Sequence, residues 1–196
     1  ASQLCGFAKS DSSKETPNLQ FHIQPISTDK LGGSNLHNFD AFTPTVANIR
    51  PTSRGEITIT SADSRDNPKI KMNYLSTQED RKVAADGIRL IRKIVMETNE
   101  FKKFEPEEFR PGRNFQSDEE IVKASSHFAQ TIFHPVGTCK MGNDDESVVS
   151  DELKVHGITN LRVIDASIMP NITSGNTNAP TIMIAEKGAD MILNNH

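Results

Sequence analysis

No run of five like charges interrupts the 196-residue chain, and its net charge is only −4. That pattern argues against a nucleic-acid-binding surface and against a polybasic membrane patch. Long hydrophobic runs are also missing. The longest uncharged apolar run, residues 179–185, falls far short of a membrane span. Cysteine is scarce: Cys5 and Cys139 allow one bridge at most, so no disulfide framework is expected. The chain starts at Ala1 rather than Met, and no signal-peptide pattern follows. It reads as a processed chain or a piece of a longer one, cytoplasmic or loosely membrane-associated. The apolar residues, glycine included, reach about 41%, against roughly 45–50% in globular domains. The core should therefore be lean, but periodic apolar patterning excludes general disorder.

Leu19, Phe21 and Ile23 alternate with Gln20, His22 and Gln24, the period of a half-buried strand. Pro25 should end that strand or confine it to an edge. Residues 1–17 read as loop beyond a short stretch at 4–7, and residues 28–41 as a long loop around Gly32 and Gly33. An extended stretch through Val46 and Ile49 and an alternating strand at 56–61 flank a turn at 51–55, which predicts an antiparallel hairpin. Ile70, Met72 and Tyr74 continue at period two. The period then changes. Ser76 with Glu79 signals a capping box, and Val83, Gly87, Ile88, Ile91, Ile94 and Val95 form one stripe of a helix near 78–98. Ser117 with Glu120 opens another helix, whose inner face is Ile121, Ala124 and Phe128. Leu161-Arg-Val-Ile164 predicts a short strand ending at Asp165. After a polar loop at 171–178, Pro180 opens a helix over 181–193, with Asn178 as its cap. The fold class is α+β: a mainly antiparallel sheet of about five or six strands with helices over one face. The last strand and helix belong to a different layer.

Three places could carry chemistry. His134 precedes Pro135 on a fixed turn, which suits a general base facing a cleft and equally a hydrogen-bonded structural histidine. His134 with Cys139 is too small a set for zinc, and five residues across Gly137 assure no contact, so no metal site is expected. The start of the last helix offers free N–H groups to an anion, unless it is simply a capped helix. Asp165, at the carboxyl end of a strand, faces either a ligand or a turn. His22, His37, His156 and His196 read as structural, and Phe101, Phe104 and Phe109 as loop anchors.

Taken together, three long stretches carry a resemblance. They are His134-Pro-Val-Gly-Thr-Cys-Lys-Met-Gly142, Leu161-Arg-Val-Ile-Asp-Ala-Ser-Ile-Met-Pro170 and Ser174-Gly-Asn-Thr-Asn-Ala-Pro-Thr-Ile-Met-Ile-Ala-Glu-Lys187. In order and spacing they resemble the C-terminal half of the glucose–methanol–choline (GMC) oxidoreductases. Pro51-Thr-Ser-Arg-Gly55 and Asn73-Tyr-Leu-Ser76 match as well, so the resemblance covers nearly the whole chain. In detail the motifs look most like choline dehydrogenase-like and alcohol dehydrogenase-like members.

The resemblance implies FAD as cofactor and oxidation of an alcohol to an aldehyde or ketone. It implies His134 as the base and Asn176 as the group that orients the alcohol. Asp165 and Ala166 would approach the pyrophosphate–ribityl part of FAD, Asn178 and Thr181 the flavin, and Ile132 and Phe133 would line the substrate side. It further implies a substrate-binding domain over 1–152 and a return segment of the FAD-binding domain over 153–196. The glycine-rich fingerprint G-x-G-x-x-G does not occur in the chain. The chain alone is therefore expected to be inactive and to associate with an N-terminal FAD-binding half. A lyase on the same scaffold and a non-catalytic binding module are the alternatives. The electron acceptor is left open.

Overall fold

The structure, a computed structural model, describes residues 2–29 and 35–194. The Gly32-Gly33 turn and His196 lie outside the described residues. Backbone contacts divide the chain into two units: Ala1–Ser53 with Leu75–Ile132, and Arg54–Tyr74 with Phe133–His196. The expected boundary after residue 152 falls inside the second of these.

The first unit is built on strands β1 (Leu4–Ala8), β2 (Leu19–Gln24) and β3 (Thr43–Asn48), antiparallel in the order β1-β2-β3. Phe21 stands opposite Gly6 on one side and Val46 on the other. Strand β2 is thus central, and Pro25 ends it as expected. Pro44, which lacks a donor, sits in the edge strand β3. Helix α1 (Gln78–Glu97) buries Val83 against Leu19 and Phe21, with Val46, Leu90 and Ile91 around them. Its backbone comes close to β3 at Gly87, where a Cβ would stand 3.0 Å from the Val46 Cγ2. Helix α2 (Asn99–Lys102) follows, then α3 (Asp118–Ser126), which begins with the expected Ser117/Glu120 capping box. Ile121 is fully buried, whereas Phe128 lies past the helix end and is exposed. Arg92 of α1 forms a two-pronged pair with Glu108, both contacts at 2.9 Å, and also donates to the carbonyls of Gly112 and Phe115.

Asp80, only 3% exposed, organises the entry to α1. Its carboxylate accepts from Asn48 Nδ2 (3.2 Å), Thr52 N (2.9 Å), Thr52 Oγ1 (3.1 Å) and Ser53 N (2.8 Å). Burial pushes this carboxyl up, but the Ser53 hydroxyl and the Thr52 and Ser53 N–H groups outweigh it and hold it below its ordinary 3.8. The N-cap is Thr77, not Ser76: its hydroxyl accepts from Asp80 N at 3.2 Å. The Ser53 hydroxyl accepts from Ser76 N, which places Ser76 outside the helix.

The second unit contains β4 (Glu56–Thr58) and β5 (Lys69–Lys71), a short exposed ribbon with Ile57 opposite Ile70. The expected hairpin between 46–49 and 56–61 does not form. Strand β3 pairs with β2 and β4 with β5, because the Asp80 carboxylate holds the chain at 52–53 and turns it aside. The five strands of the described residues accordingly fall in two sheets, of three and two, within a mixed α+β fold. The core of this unit is Val149, Leu153, Ile168, Met169 and Ile184. The strand expected at 161–164 is reduced to one bridge, Lys154 with Arg162. Its apolar residues Val163 and Ile164 pack on the core without joining a sheet. Helix α4 (Asn178–Leu193) lies against them. At its buried Gly188, an added Cβ would stand 2.5 Å from Ile164 Cγ2. Among the described residues no helix is long and apolar enough to cross a membrane.

Two outcomes follow from this packing. Asp80→Ala should cost about 3 kcal/mol, since several donors lose a charged acceptor. A carboxyl held below its ordinary value stabilises the fold above the unfolded pKa, and that share is lost as pH falls from 3.8 through the folded value. Urea unfolding measured across that range should show the loss in wild type, and a smaller slope in Asp80→Asn. Gly188→Ala should cost about 2 kcal/mol through overpacking. In a double-mutant cycle, Ile164→Ala should recover part of that loss.

Candidate active site

The site lies in the second unit, where three segments meet, two of them tied by backbone hydrogen bonds and the third held by side chains. The segment after His134 runs beside a 3-10 turn over Ala166–Ile168: Cys139 N donates to Ser167 O (3.1 Å) and Met141 N to Ile168 O (2.8 Å). Asp165 caps that turn, its carboxylate accepting from Ser167 N at 2.8 Å and from the Ser167 hydroxyl. The third segment is the loop at 171–177 that leads into α4. It is fixed at its start by Arg54, whose Nη2 donates to Asn171 Oδ1 at 2.6 Å. Asn73 in turn donates to the Arg54 carbonyl at 2.9 Å. The loop then reverses through Ser174 (φ 63°) and Gly175 (φ 158°). A non-glycine residue in the left-handed region is uncommon. So is Phe133, at φ 65°, directly before His134.

These constraints bring His134 and Asn176 together. Asn176 Nδ2 stands 2.9 Å from His134 Nε2, and the Thr177 hydroxyl stands 3.1 Å from His134 Nδ1. An amide nitrogen can only donate. With the amide so oriented, Nε2 accepts, and the single proton of a neutral imidazole sits on Nδ1, facing Thr177. The half-buried imidazole is therefore held on both nitrogens, with the Nε2 lone pair on the side of the exposed Asn176.

The remaining expected site residues divide. Asp165 is exposed and Ala166 half-buried, both on the 3-10 turn beside the His134 segment. Asn178 is the first helical residue of α4 and not its cap; Thr177 holds that position. The N–H groups of Asn178 and Ala179 have no partner among the described residues, and Pro180 has none to offer. The start of α4 thus presents donors and the positive end of the helix dipole to an anionic group. Thr181 turns its hydroxyl onto the Thr177 carbonyl at 2.6 Å, so its proton is used within the helix. Phe133 is exposed in this unit, while Ile132 ends the first unit. Cys139 is a free, half-buried thiol. Among the described residues no cluster of His, Cys, Asp and Glu can hold a metal ion. His156 Nε2 donates to the Gly142 carbonyl (3.0 Å), and His37 lies between Ser27 (2.9 Å) and Asp29 (3.2 Å); both fit the structural reading.

Sequence patterning missed Thr177 and Arg54. Thr177 stands beside the residue singled out for the site and matches helix-cap chemistry, so nothing in its type separates it from an ordinary cap. Arg54 is visible in the sequence as part of a turn and of the Pro51–Gly55 match, neither of which gives it a partner.

The GMC oxidoreductase family model matches residues 51–185. The chain is 46% identical over 187 residues to an oxygen-dependent choline dehydrogenase of Proteus mirabilis, covering 95% of this chain and 33% of that protein. It is 46% identical over 188 residues to an alcohol dehydrogenase [acceptor] of Pseudomonas putida, covering 96% and 34%. The chain thus spans about a third of the length of these relatives. Among solved structures, pyridoxine 4-oxidase from Mesorbium loti superposes with a TM-score of 0.84 at 29% identity, over 100% of this chain and 38% of that one. An FAD-dependent oxidoreductase from Chaetomium thermophilum gives 0.77 at 28% identity, over 92% and 29%. The family model alone takes in well over half of the residues, and the chain belongs to the GMC oxidoreductase family.

Proposed function

We propose that this chain carries the proton-transferring and substrate-orienting residues of an FAD-dependent enzyme that oxidises a primary or secondary alcohol. The observation that carries the reading is the His134–Asn176 pair: a lone pair on Nε2 and an amide donor stand 2.9 Å apart. An alcohol oxygen that displaces this direct contact would donate its proton to Nε2 and accept from Asn176 Nδ2. Both needs of the reaction are then met by this chain. His134 takes the hydroxyl proton as general base. Asn176 has no proton to take up in this range; it fixes the oxygen and so the direction of the C–H bond.

The residues present suit a flavin dinucleotide. The N–H groups of Asn178 and Ala179 at the start of α4, without a partner among the described residues, complement negative charge on the ring. Asp165 and Ala166 take the ribityl–pyrophosphate side, with Thr181 further along α4. When bound, FAD supplies the acceptor for the hydride that leaves the carbinol carbon. Phe133 and Ile132 supply apolar surface on the substrate side. Residues 1–152 as substrate-binding domain, and 153–196 as the return into an FAD-binding domain, belong to the same proposal. So does association with an N-terminal FAD-binding half. In support of that association, the relatives are about three times as long, and Ile57, Ile59 and Ile70 stand exposed on the β4–β5 ribbon.

In the full-length, flavin-loaded protein, His134→Ala should slow anaerobic flavin reduction by alcohol roughly 10²–10⁴-fold. Reduction within a few fold of wild type would remove His134 as the base. Asn176→Ala should slow the same step by about a hundredfold, because a misdirected hydride donor reacts poorly. Asn176→His, which keeps a ring N–H donor, should retain measurable reduction. Equal rates in the Ala variant and wild type would reduce Asn176 to a helix-entry residue.

A further inference from the structure

Thr177 breaks a local rule. It occupies the N-cap of α4, where a threonine hydroxyl ordinarily accepts from a backbone N–H of the first turn. Here that hydrogen bond is absent, and the backbone sits at φ −92°, ψ −3°, away from the extended conformation usual at this position. The side chain is buried, 8% exposed, and its hydroxyl reaches His134 Nδ1 instead. The helix period explains why it points inward. Thr177, Thr181, Ile184 and Gly188 follow at spacings of four, three and four, so Thr177 continues the face that packs on the core. A departure from local consistency at a buried position, aimed at a titratable ring, is the kind expected where function overrides stability.

We propose that Thr177 is a positioning residue that sets the tautomer of His134. Its oxygen accepts from Nδ1–H, which keeps the proton off Nε2 and leaves Nε2 an acceptor, toward Asn176 here and toward the alcohol when it displaces that contact. In a neutral imidazole the partner of one nitrogen decides which nitrogen is protonated. The same bond assists the reaction itself. As Nε2 takes up the alcohol proton, the ring becomes positive, and Nδ1–H···Oγ1 becomes a charge-assisted hydrogen bond. The inference rests on His134 being the base, and Thr177 acts only through it.

The test uses three variants and two readouts. Thr177→Val keeps the shape and removes the acceptor, Thr177→Ala removes both, and Thr177→Ser keeps the hydroxyl. In flavin-free protein labelled with 15N-histidine, the wild-type His134 should show a protonated Nδ1 and an unprotonated Nε2. Thr177→Val and Thr177→Ala should shift population toward the Nε2–H tautomer, and Thr177→Ser should restore the wild-type pattern. In the full-length, flavin-loaded protein, Val and Ala should slow the limiting rate of flavin reduction about 5- to 30-fold, the effect of one lost hydrogen bond in the reacting state. The alcohol concentration at half-maximal rate should change little, and Ser should stay within about twofold of wild type. An unchanged tautomer in Thr177→Val, or a loss in Thr177→Ser as large as in Thr177→Val, overturns the proposal; the latter would mean packing alone. If His134→Ala reduces flavin normally, the base assignment falls instead, and the tautomer shift still reports on Thr177 by itself.

Discussion

Helix α4 can lie against Ile164 only because position 188 carries no side chain. A single methyl group there would overlap the isoleucine, so the helix and the segment at 161–165 meet at one depth and in one register. Everything at the other end of α4 inherits that register. Three turns before Gly188, the same helical face brings Thr177 to His134, and the next residue toward the N-terminus, Asn176, reaches the second ring nitrogen. The site is thus set by a packing contact more than a dozen ångströms along the helix from the imidazole, given a rise of about 1.5 Å per residue.

The rest of the site follows from short constraints that act against it. The 3-10 turn holds the strand-like segment after His134 through two backbone hydrogen bonds, and Asp165 closes the turn with its own carboxylate. Arg54 and Asn73 hold the loop entrance. Two non-glycine residues in left-handed conformation, Phe133 and Ser174, flank the two functional side chains. Such conformations persist only where the surroundings over-determine them.

Much of this was legible from residues alone, and the misses have physical reasons. The capping box at Ser117 and Glu120 was legible because both halves are local. Helix α1 was legible from its stripe, although its cap moved by one residue once the Ser53 hydroxyl took the Ser76 N–H. Pairing between strands was not legible, because period-two alternation names no partner and the turn at 52–53 is held by a buried carboxylate on α1, far along the chain. Strand β1 carries a glycine and exposed side chains, so its pattern is weak, and it exists through its register with β2. The apolar stretch at 161–164 has strand composition but faces a helix. His134 and Asn176 were named from motif resemblance; their direct contact, and the place of Thr177 beside them, depend on how three distant segments meet.

The division of the chain into interleaved units has a consequence for synthesis. The ribbon at 54–74 leaves the ribosome inside the sequence of one unit yet belongs with residues 133–196. Arg54 meets Asn171 only after 117 further residues have been added. At roughly 5–20 residues per second, that is a wait of about 6–23 seconds. During it the ribbon lacks its Arg54–Asn171 tie, while the first unit can close around its own core as soon as residue 132 emerges. The nascent chain is therefore vulnerable at a defined stretch and for a defined interval, and that is where a chaperone would find it.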